Sequence, residues 1–180
     1  LFAKHNYRLI LTGRRKERLQ ALEKELSVEV LSLAFDVRDQ EAVKAAVASI
    51  PEDWRDIDIL VNNAGLAVGL EPIHEGVVDD WERMIDTNGK GLLYISREIS
   101  PWMGARKKGH IINIASIAGK QVYKGGGVYG ASKHAADALS QGMRIDLLPY
   151  GIRVTNVAPG MVDTEFSVVR FKGDQEKADG

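Results

Sequence analysis

Tyr129 and Lys133 stand four residues apart in the stretch GGGVYGASKHAADALS (125–140), at the start of a run of helix-forming residues. Four residues are about one helical turn, so the phenol and the ammonium group lie on one face of a helix. A tyrosine phenol has a pKa of about 10, and a fixed positive charge beside it lowers that pKa. The pair is therefore either a general acid and base for a hydroxyl group or an ordinary pair of solvated surface residues.

The composition narrows the class of protein that can carry this pair. The chain has 180 residues, of which 44% are hydrophobic and 27% charged, with a net charge of -1. These values predict one globular domain over residues 1–180 and give no indication of a nucleic-acid or membrane partner. The sequence contains no cysteine and only four scattered histidines, so we expect no metal site. A chain without cysteine is typical of a reducing compartment, and we expect it in the cytoplasm.

Short apolar runs alternate with helical patterns along the chain. The runs expected to be strands are 7–11, 28–37, 57–65, 109–116 and 151–160. Asp39 and Asp79 are candidate N-caps of two helices, and the helix that carries Tyr129 is expected to stop before Pro149. Because the runs are apolar on both faces, they predict an α/β fold, a doubly wound parallel sheet between two layers of helices.

Polar or small residues stand at the carboxyl end of each expected strand. They are Thr12–Arg15, Asp36–Val37, Asn62–Gly65, Ala115–Ser116 and Pro159–Gly160. Ligands of such sheets bind at the carboxyl ends of the strands, so this pattern predicts a long polar ligand across one edge of the sheet.

These segments together resemble the short-chain dehydrogenase/reductase family. The matching pieces are DV (36–37), NNAG (62–65), TNGKG (87–91), INIAS (112–116), YGASK (129–133) and VAPGMVDT (157–164). They occur in the family's order and spacing over essentially the whole chain. The stretches LTGRR, WERMIDTNGKGL and TEFSVVRFKGD are similar to the branch of NADP-dependent 3-hydroxy acid (serine) dehydrogenases.

The resemblance implies an oxidoreductase of Rossmann-like fold that moves a hydride between a nicotinamide and an alcohol carbon or a carbonyl. Tyr129 would be the general acid and base, and Lys133 would lower its pKa and bind the nicotinamide ribose. Ser116 would hydrogen-bond the substrate oxygen, although a serine at a strand end can also simply cap a turn. Asn88 matches the fourth catalytic position of the family and would hold a water in the proton path. Because Gly89 follows it in a helix interior, we expect a local distortion there, or merely a poorly formed helix.

Arg14 and Arg15 favour NADP over NAD as the cofactor. Cations at the start of a helix interact unfavourably with the helix dipole, which costs some free energy. The binding of a phosphate group by the two arginines would offset this cost. Thr12 also stands where NAD enzymes commonly place an acidic residue. The alternative is a solvated basic helix start. The other expected cofactor contacts are Asp36, Val37, Asn62, Ala64, Gly65, Tyr129, Lys133, Pro159, Gly160, Val162 and Thr164.

The substrate is expected to be a small hydroxy acid, and a cation is needed to bind its carboxylate. Arg170 is the candidate for that role, with Lys120 and Gln121 as rivals beside Ser116. A broader aldehyde/ketone reductase and a non-catalytic nucleotide-binding sensor remain alternative functions. The resemblance also implies a homo-oligomer, a tetramer in many members of the family.

The family's glycine-rich turn, which receives the cofactor pyrophosphate, has no counterpart in the sequence. Gly125–Gly127 do not replace it, because no strand-turn-helix unit surrounds them. We therefore expect the sequence to be part of a longer chain, lacking this turn, the strand before it and a C-terminal strand. The first of these strands would lie between the strands at 7–11 and 57–61, which would then not pair directly.

Overall fold

A computed structural model of the protein describes residues 1–160 and Arg170. The strands of this part are β1 (Leu9–Gly13), β2 (Val30–Ala34), β3 (Ile59–Asn62), β4 (Gly109–Ile114) and β5 (Ile152–Val157). The helices are α1 (Lys16–Glu25), α2 (Gln40–Ala48), α3 (Val78–Ile85), a π-helix (Asp86–Gly91), α4 (Leu92–Ala105) and α5 (Gly127–Leu147). Short 3₁₀ turns lie at 2–5, 52–54, 117–119 and 148–150. Each expected strand is present. The strands β2 to β5 are shorter than their apolar runs, whereas β1 begins and ends two residues later than 7–11 and includes Thr12 and Gly13.

All strand pairs of the described part are parallel, as predicted. One sheet has the order β1-β2 and the other the order β3-β4-β5, with β4 in the centre. Within these residues β1 pairs only with β2 and β3 only with β4. The strands β1 and β3 are therefore not paired directly, which agrees with the expectation from the sequence.

The main hydrophobic core lies between the three-stranded sheet and the helices α2 and α4. Ile111 of β4, Val43 of α2 and Met103 of α4 are fully buried there, and Ile152 of β5 packs with them. Burying an aliphatic side chain of this size contributes about 1.5–3 kcal/mol. This core fixes β4, whose carboxyl end leads directly to Ser116.

The start of α2 and the end of α5 at Leu147 agree with the sequence prediction, and the start of α3 does not. Asp39 caps α2, since its side chain accepts hydrogen bonds from the backbone N–H groups of Glu41 and Ala42, both at 3.0 Å. The prediction for Asp79 is wrong, because α3 begins at Val78 and Asp79 lies inside its first turn. There the carboxylate still interacts favourably with the helix dipole.

Candidate active site

Asn88 lies in the π-helix between α3 and α4, where the sequence predicts a distortion. π-Helical turns of this kind are frequent at functional sites. The Asn88 side chain is buried, and its Oδ1 accepts a hydrogen bond from the Leu66 N–H at 2.9 Å. Its Nδ2 donates to the Leu66 carbonyl and to Ser132 Oγ, each at 2.9 Å. Asn88 therefore joins the loop after β3 to α5.

Tyr129 and Ser116 meet at the carboxyl end of β4. Tyr129 lies in the first turn of α5 and is 8% exposed, and its phenol is hydrogen-bonded to the Ser116 side chain. Ser116 Oγ also accepts the Ala118 N–H at 3.1 Å and so caps the 3₁₀ turn that follows. Both roles considered for Ser116, the turn cap and the partner of the tyrosine, thus occur together.

Lys133 lies one turn after Tyr129 and is almost fully buried. Its Nζ donates to the Ile114 carbonyl at 2.9 Å and lies 6.0 Å from the centre of the Tyr129 ring. Burial lowers the pKa of Lys133 to about 8. A Cβ atom on Gly65 would lie 3.2 Å from both Lys133 Nζ and Asn88 Oδ1, so a glycine here leaves both groups room.

Burial is the main influence on the pKa of the Tyr129 phenol. Burial raises the pKa of the Tyr129 phenol, while the hydrogen bond with Ser116 and the charge of Arg170 act in the opposite direction. The ammonium group of Lys133 is directed at the Ile114 carbonyl, and its effect on the Tyr129 pKa stays a prediction. Tyr129 is therefore in its protonated, acidic form at neutral pH.

Ser132 is a residue of this site that sequence reasoning missed. It is 1% exposed, and its Oγ donates to the Tyr129 carbonyl at 2.7 Å while accepting from Asn88 Nδ2. It therefore connects Asn88 to the helical turn that carries Tyr129. The sequence indicates it only as a serine inside a helix, three residues after the tyrosine. A serine hydroxyl at this spacing can donate to the backbone carbonyl of the preceding turn.

The two arginines expected to select the cofactor follow β1. Arg14 and Arg15 are exposed, and Arg15 is the N-cap residue of α1. Asp36 lies close enough to Arg14 for the arginine charge to contribute to its lowered pKa. The main cause of that lowering is Arg38, which the sequence analysis did not consider and whose Nη2 donates to Asp36 Oδ2 at 2.6 Å.

The side chain of Asn62, an expected cofactor contact, is hydrogen-bonded inside the protein. Its side chain is buried, and Nδ2 donates to Ser96 Oγ at 2.9 Å and to Asn113 Oδ1 at 2.8 Å. Asn113 Nδ2 in turn donates to Ser140 Oγ at 2.9 Å. This network ties β3 and β4 to α4 and α5, so the Asn62 side chain holds the layers together. The residues after it, Asn63–Gly65, are exposed.

The segment after β5 lies beside the Ser116 turn. The Pro159 carbonyl accepts a hydrogen bond from the Ile117 N–H at 3.0 Å, and Gly160 is exposed. Val162 and Thr164, the two further cofactor contacts expected here, lie outside the described residues.

A cavity of about 160 Å³ borders the Tyr129 side chain. Of the cations proposed for the substrate carboxylate, Arg170 is the one near this cavity. Its guanidinium lies 5.6 Å from the Tyr129 ring centre, and its Nη2 donates to Tyr123 Oη at 2.9 Å. Lys120 forms an ion pair with Asp137 at 2.7 Å instead.

Gln121 does not line the cavity as far as the structure describes its walls. Its side chain belongs to the exposed loop after the Ser116 turn. No three histidine, aspartate or glutamate side chains of residues 1–160 and Arg170 come together as a possible metal site.

The buried ammonium group of Lys133 should lower stability at neutral pH. The unfolded chain keeps the Lys133 proton up to the ordinary pKa of 10.5, whereas the folded protein releases it near 8. The penalty is therefore complete below about pH 8 and disappears as the pH rises toward 10.5. We expect Lys133→Met to raise the free energy of unfolding at pH 7 by about 1–2 kcal/mol, after subtraction of the lost hydrogen bond to Ile114.

Urea unfolding of Lys133→Met and of the wild type at pH 7 and pH 10 measures this effect. The gain should be clearly smaller at pH 10. An equal gain at both values would show that packing and not the charge causes it. A loss of stability at pH 7 would contradict the assignment of a burial penalty to Lys133.

Comparison with known proteins agrees with this geometry. The family model for short chain dehydrogenases matches residues 1–175. An NADP-dependent 3-hydroxy acid dehydrogenase of Salmonella typhimurium is 55% identical over 178 residues, which are 98% of this chain and 72% of that protein. A serine 3-dehydrogenase of Rhizobium radiobacter is 47% identical, over 99% of this chain and 71% of its own length.

A solved structure shows the same similarity in three dimensions. The closed form of a serine dehydrogenase complexed with NADP+ superimposes with a TM-score of 0.96 at 51% identity, over 99% of this chain and 72% of that one. The architecture, the order of the motifs and the placement of Tyr129, Ser116, Asn88 and Lys133 all agree with one family. The chain belongs to the short chain dehydrogenases.

Proposed function

We propose that the protein is an NADP-dependent oxidoreductase that transfers a hydride between the nicotinamide and the hydroxyl-bearing carbon of a small 3-hydroxy acid of the serine type, or its carbonyl form. The observation that carries this proposal is the hydrogen-bonded pair of Tyr129 and Ser116 at a small cavity, with Lys133 and Asn88 directly behind it. The names of the relatives at 47–55% identity support the substrate class and the cofactor.

The residues at the carboxyl ends of the strands fit this cofactor. The loop 63–65 is exposed and ends at Gly65, where a Cβ atom would crowd the ends of Asn88 and Lys133. When bound, NADP supplies the hydride chemistry. The residues proposed to hold it are Arg14 and Arg15 for the 2′-phosphate, Asp36, Val37, Ala64 and Gly65 for the adenosine, and Tyr129, Lys133, Pro159 and Gly160 for the nicotinamide end.

Proton transfer is the task of Tyr129. Its phenol is protonated at neutral pH, so it can donate to a carbonyl oxygen that is being reduced, and in the opposite direction the phenolate accepts the hydroxyl proton. Ser116 Oγ, hydrogen-bonded to the phenol, is placed to bind the same substrate oxygen. Asn88 and Ser132 hold the turn of α5 on which Tyr129 stands.

Steady-state kinetics of the intact protein test the proposal. NADP and NAD are each combined with L-serine, 3-hydroxypropionate, simple alcohols and simple carbonyls. We expect activity with both hydroxy acids and a preference for NADP. Higher kcat/KM values for simple ketones would favour a broad reductase, and inactivity with every pair would favour a nucleotide-binding sensor.

We further propose a cytoplasmic homotetramer. Ile145 of α5 and Leu148 after it are about 70% exposed, and Leu93 of α4 is 40% exposed, so apolar surface is present on the outer helices. Light scattering after size-exclusion chromatography tests the assembly. Among the described residues no helix is long and apolar enough to cross a membrane.

A further inference from the structure

Two side chains of opposite charge meet at Gly69, on the wall of the cavity beside Tyr129. The Gly69 N–H donates to the Arg170 carbonyl at 3.0 Å, and Arg170 Nε donates to the Gly69 carbonyl at 3.2 Å. The Glu71 carboxylate folds over the same glycine, so that a Cβ atom there would lie 2.0 Å from Glu71 Oε2. Gly69 also has a φ of 69°, which favours glycine. A glycine at this position therefore brings both charged groups to one place.

Glu71 is available to a ligand. It lines the cavity, and the described part of the chain gives its carboxylate no hydrogen bond or ion pair. Glu75, four residues later, does not line the cavity and lies 3.3 Å from His74. A carboxylate at a cavity wall that has no partner among the described residues is suited to a cationic group of a bound molecule.

Arg170 contacts the same cavity wall through its hydrogen bonds to Gly69 and Tyr123. Tyr123 lines it, and its Oη accepts the hydrogen bond from Arg170 Nη2. The Arg170 guanidinium also lies 5.6 Å from the Tyr123 ring centre and 5.6 Å from that of Tyr129. The planar fork of arginine donors matches the geometry of a carboxylate. The guanidinium thus stands beside the phenol that acts on the substrate hydroxyl.

The size of the cavity limits what can bind between these groups. Its volume of about 160 Å³ lies well below the roughly 300–1,000 Å³ of sites for drug-sized ligands. A molecule that fits must therefore place its hydroxyl, its anionic group and its cationic group within a few bonds of one another. A 2-amino-3-hydroxy acid has this arrangement.

We infer that Glu71 selects 3-hydroxy acids that carry an amino group at carbon 2. Its carboxylate binds the ammonium group of the substrate, while Arg170 and Tyr123 bind the carboxylate and the hydroxyl faces Tyr129. The inference rests on the proposed function and deepens it. It separates serine-type substrates from plain 3-hydroxy acids, which lack the cation that Glu71 would bind.

The substitution Glu71→Gln in the intact protein tests this selection. The ratio of kcat/KM for L-serine to kcat/KM for 3-hydroxypropionate should fall at least about tenfold, since one charge-assisted contact is lost for serine alone. Glu75→Gln is the matched control, because it removes a nearby charge outside the cavity and should leave the ratio unchanged. An unchanged ratio in Glu71→Gln, or equal losses for both substrates, would overturn the inference.

Binding of non-reacting analogues separates this inference from the proposed function. L-Alanine and propionate lack the hydroxyl group, and their affinities can be measured by calorimetry with saturating NADP, without any turnover. Glu71→Gln should weaken the binding of L-alanine and leave that of propionate unchanged. Equal affinities of wild type and variant for L-alanine would overturn the role of Glu71. Inactivity of the wild type with both hydroxy acids would overturn the proposed function instead.

Discussion

Tyr129→Phe should reduce turnover by at least about two orders of magnitude, the scale of general acid-base catalysis. The phenyl ring keeps the packing of Tyr129 against Leu66 and Ala118 in its hydrophobic cluster, so the fold should persist. What is lost is the proton-carrying hydroxyl and its hydrogen bond with Ser116. The affinity for NADP should change little, because the backbone around the site stays in place.

Steady-state turnover with L-serine and a fluorescence titration with NADPH measure the two effects separately. Tyr150→Phe is the matched control, since Tyr150 is 55% exposed and follows α5 at its far end. Near-normal turnover of Tyr129→Phe would contradict the role of Tyr129 as general acid and base. A large loss of NADPH affinity would instead indicate that the Tyr129 hydroxyl serves mainly to bind the cofactor.

Neutral replacements of Arg14 and Arg15 should weaken NADP binding by about 100-fold or more and leave NAD binding nearly unchanged. Only NADP carries the 2′-phosphate, and each charge-assisted hydrogen bond to it contributes roughly 1.5–3 kcal/mol. Both side chains are exposed at the start of α1, where the helix dipole also favours an anion. Their removal should therefore not disturb the core.

Isothermal titration of Arg14→Gln/Arg15→Gln with NADP and with NAD measures this selectivity. Lys24→Gln, in the last turn of the same helix, is the control for a general loss of positive charge. Equal losses of affinity for NADP and NAD would show that the two arginines do not recognise the phosphate.

The sequence predicts the fold well because the relevant signals are local. Apolar runs between helical patterns locate all five described strands, and Asp39 marks the start of α2 through a cap formed within three residues. Gly89, costly in a helix interior, marks the π-helix at Asn88. Asp79 misleads because a carboxylate is equally favourable as an N-cap and inside the first turn.

The sequence does not show in which direction a side chain points or which group it hydrogen-bonds. Asn62 is the last residue of β3, where a cofactor contact is expected, but its side-chain amide donates to Ser96 and Asn113 in the interior. Lys133 lies beside Tyr129 as expected, but its ammonium group donates to the Ile114 carbonyl, a partner that the sequence does not indicate. Both outcomes depend on contacts between separate elements, which no local pattern records.

The proposed substrate-binding residues are the hardest to predict, because they are far apart in the sequence and meet only in the folded chain. Arg170 reaches Gly69 across 101 positions of the sequence, and only the folded chain brings it together with Glu71. A glycine two residues before a glutamate in a loop is too common a pattern to mark a binding site. The cavity and the left-handed backbone at Gly69 supply the missing information.

Transfer of deuterium from the substrate to the cofactor tests the central claim most directly. The intact protein is incubated with NADP+ and L-serine deuterated at carbon 3, and the reduced cofactor is examined by mass spectrometry. A hydride transfer from the hydroxyl-bearing carbon predicts NADPH that carries one deuterium on the nicotinamide ring. Reduced cofactor without deuterium, or no reduction of NADP+ by serine or by 3-hydroxypropionate, would contradict the account.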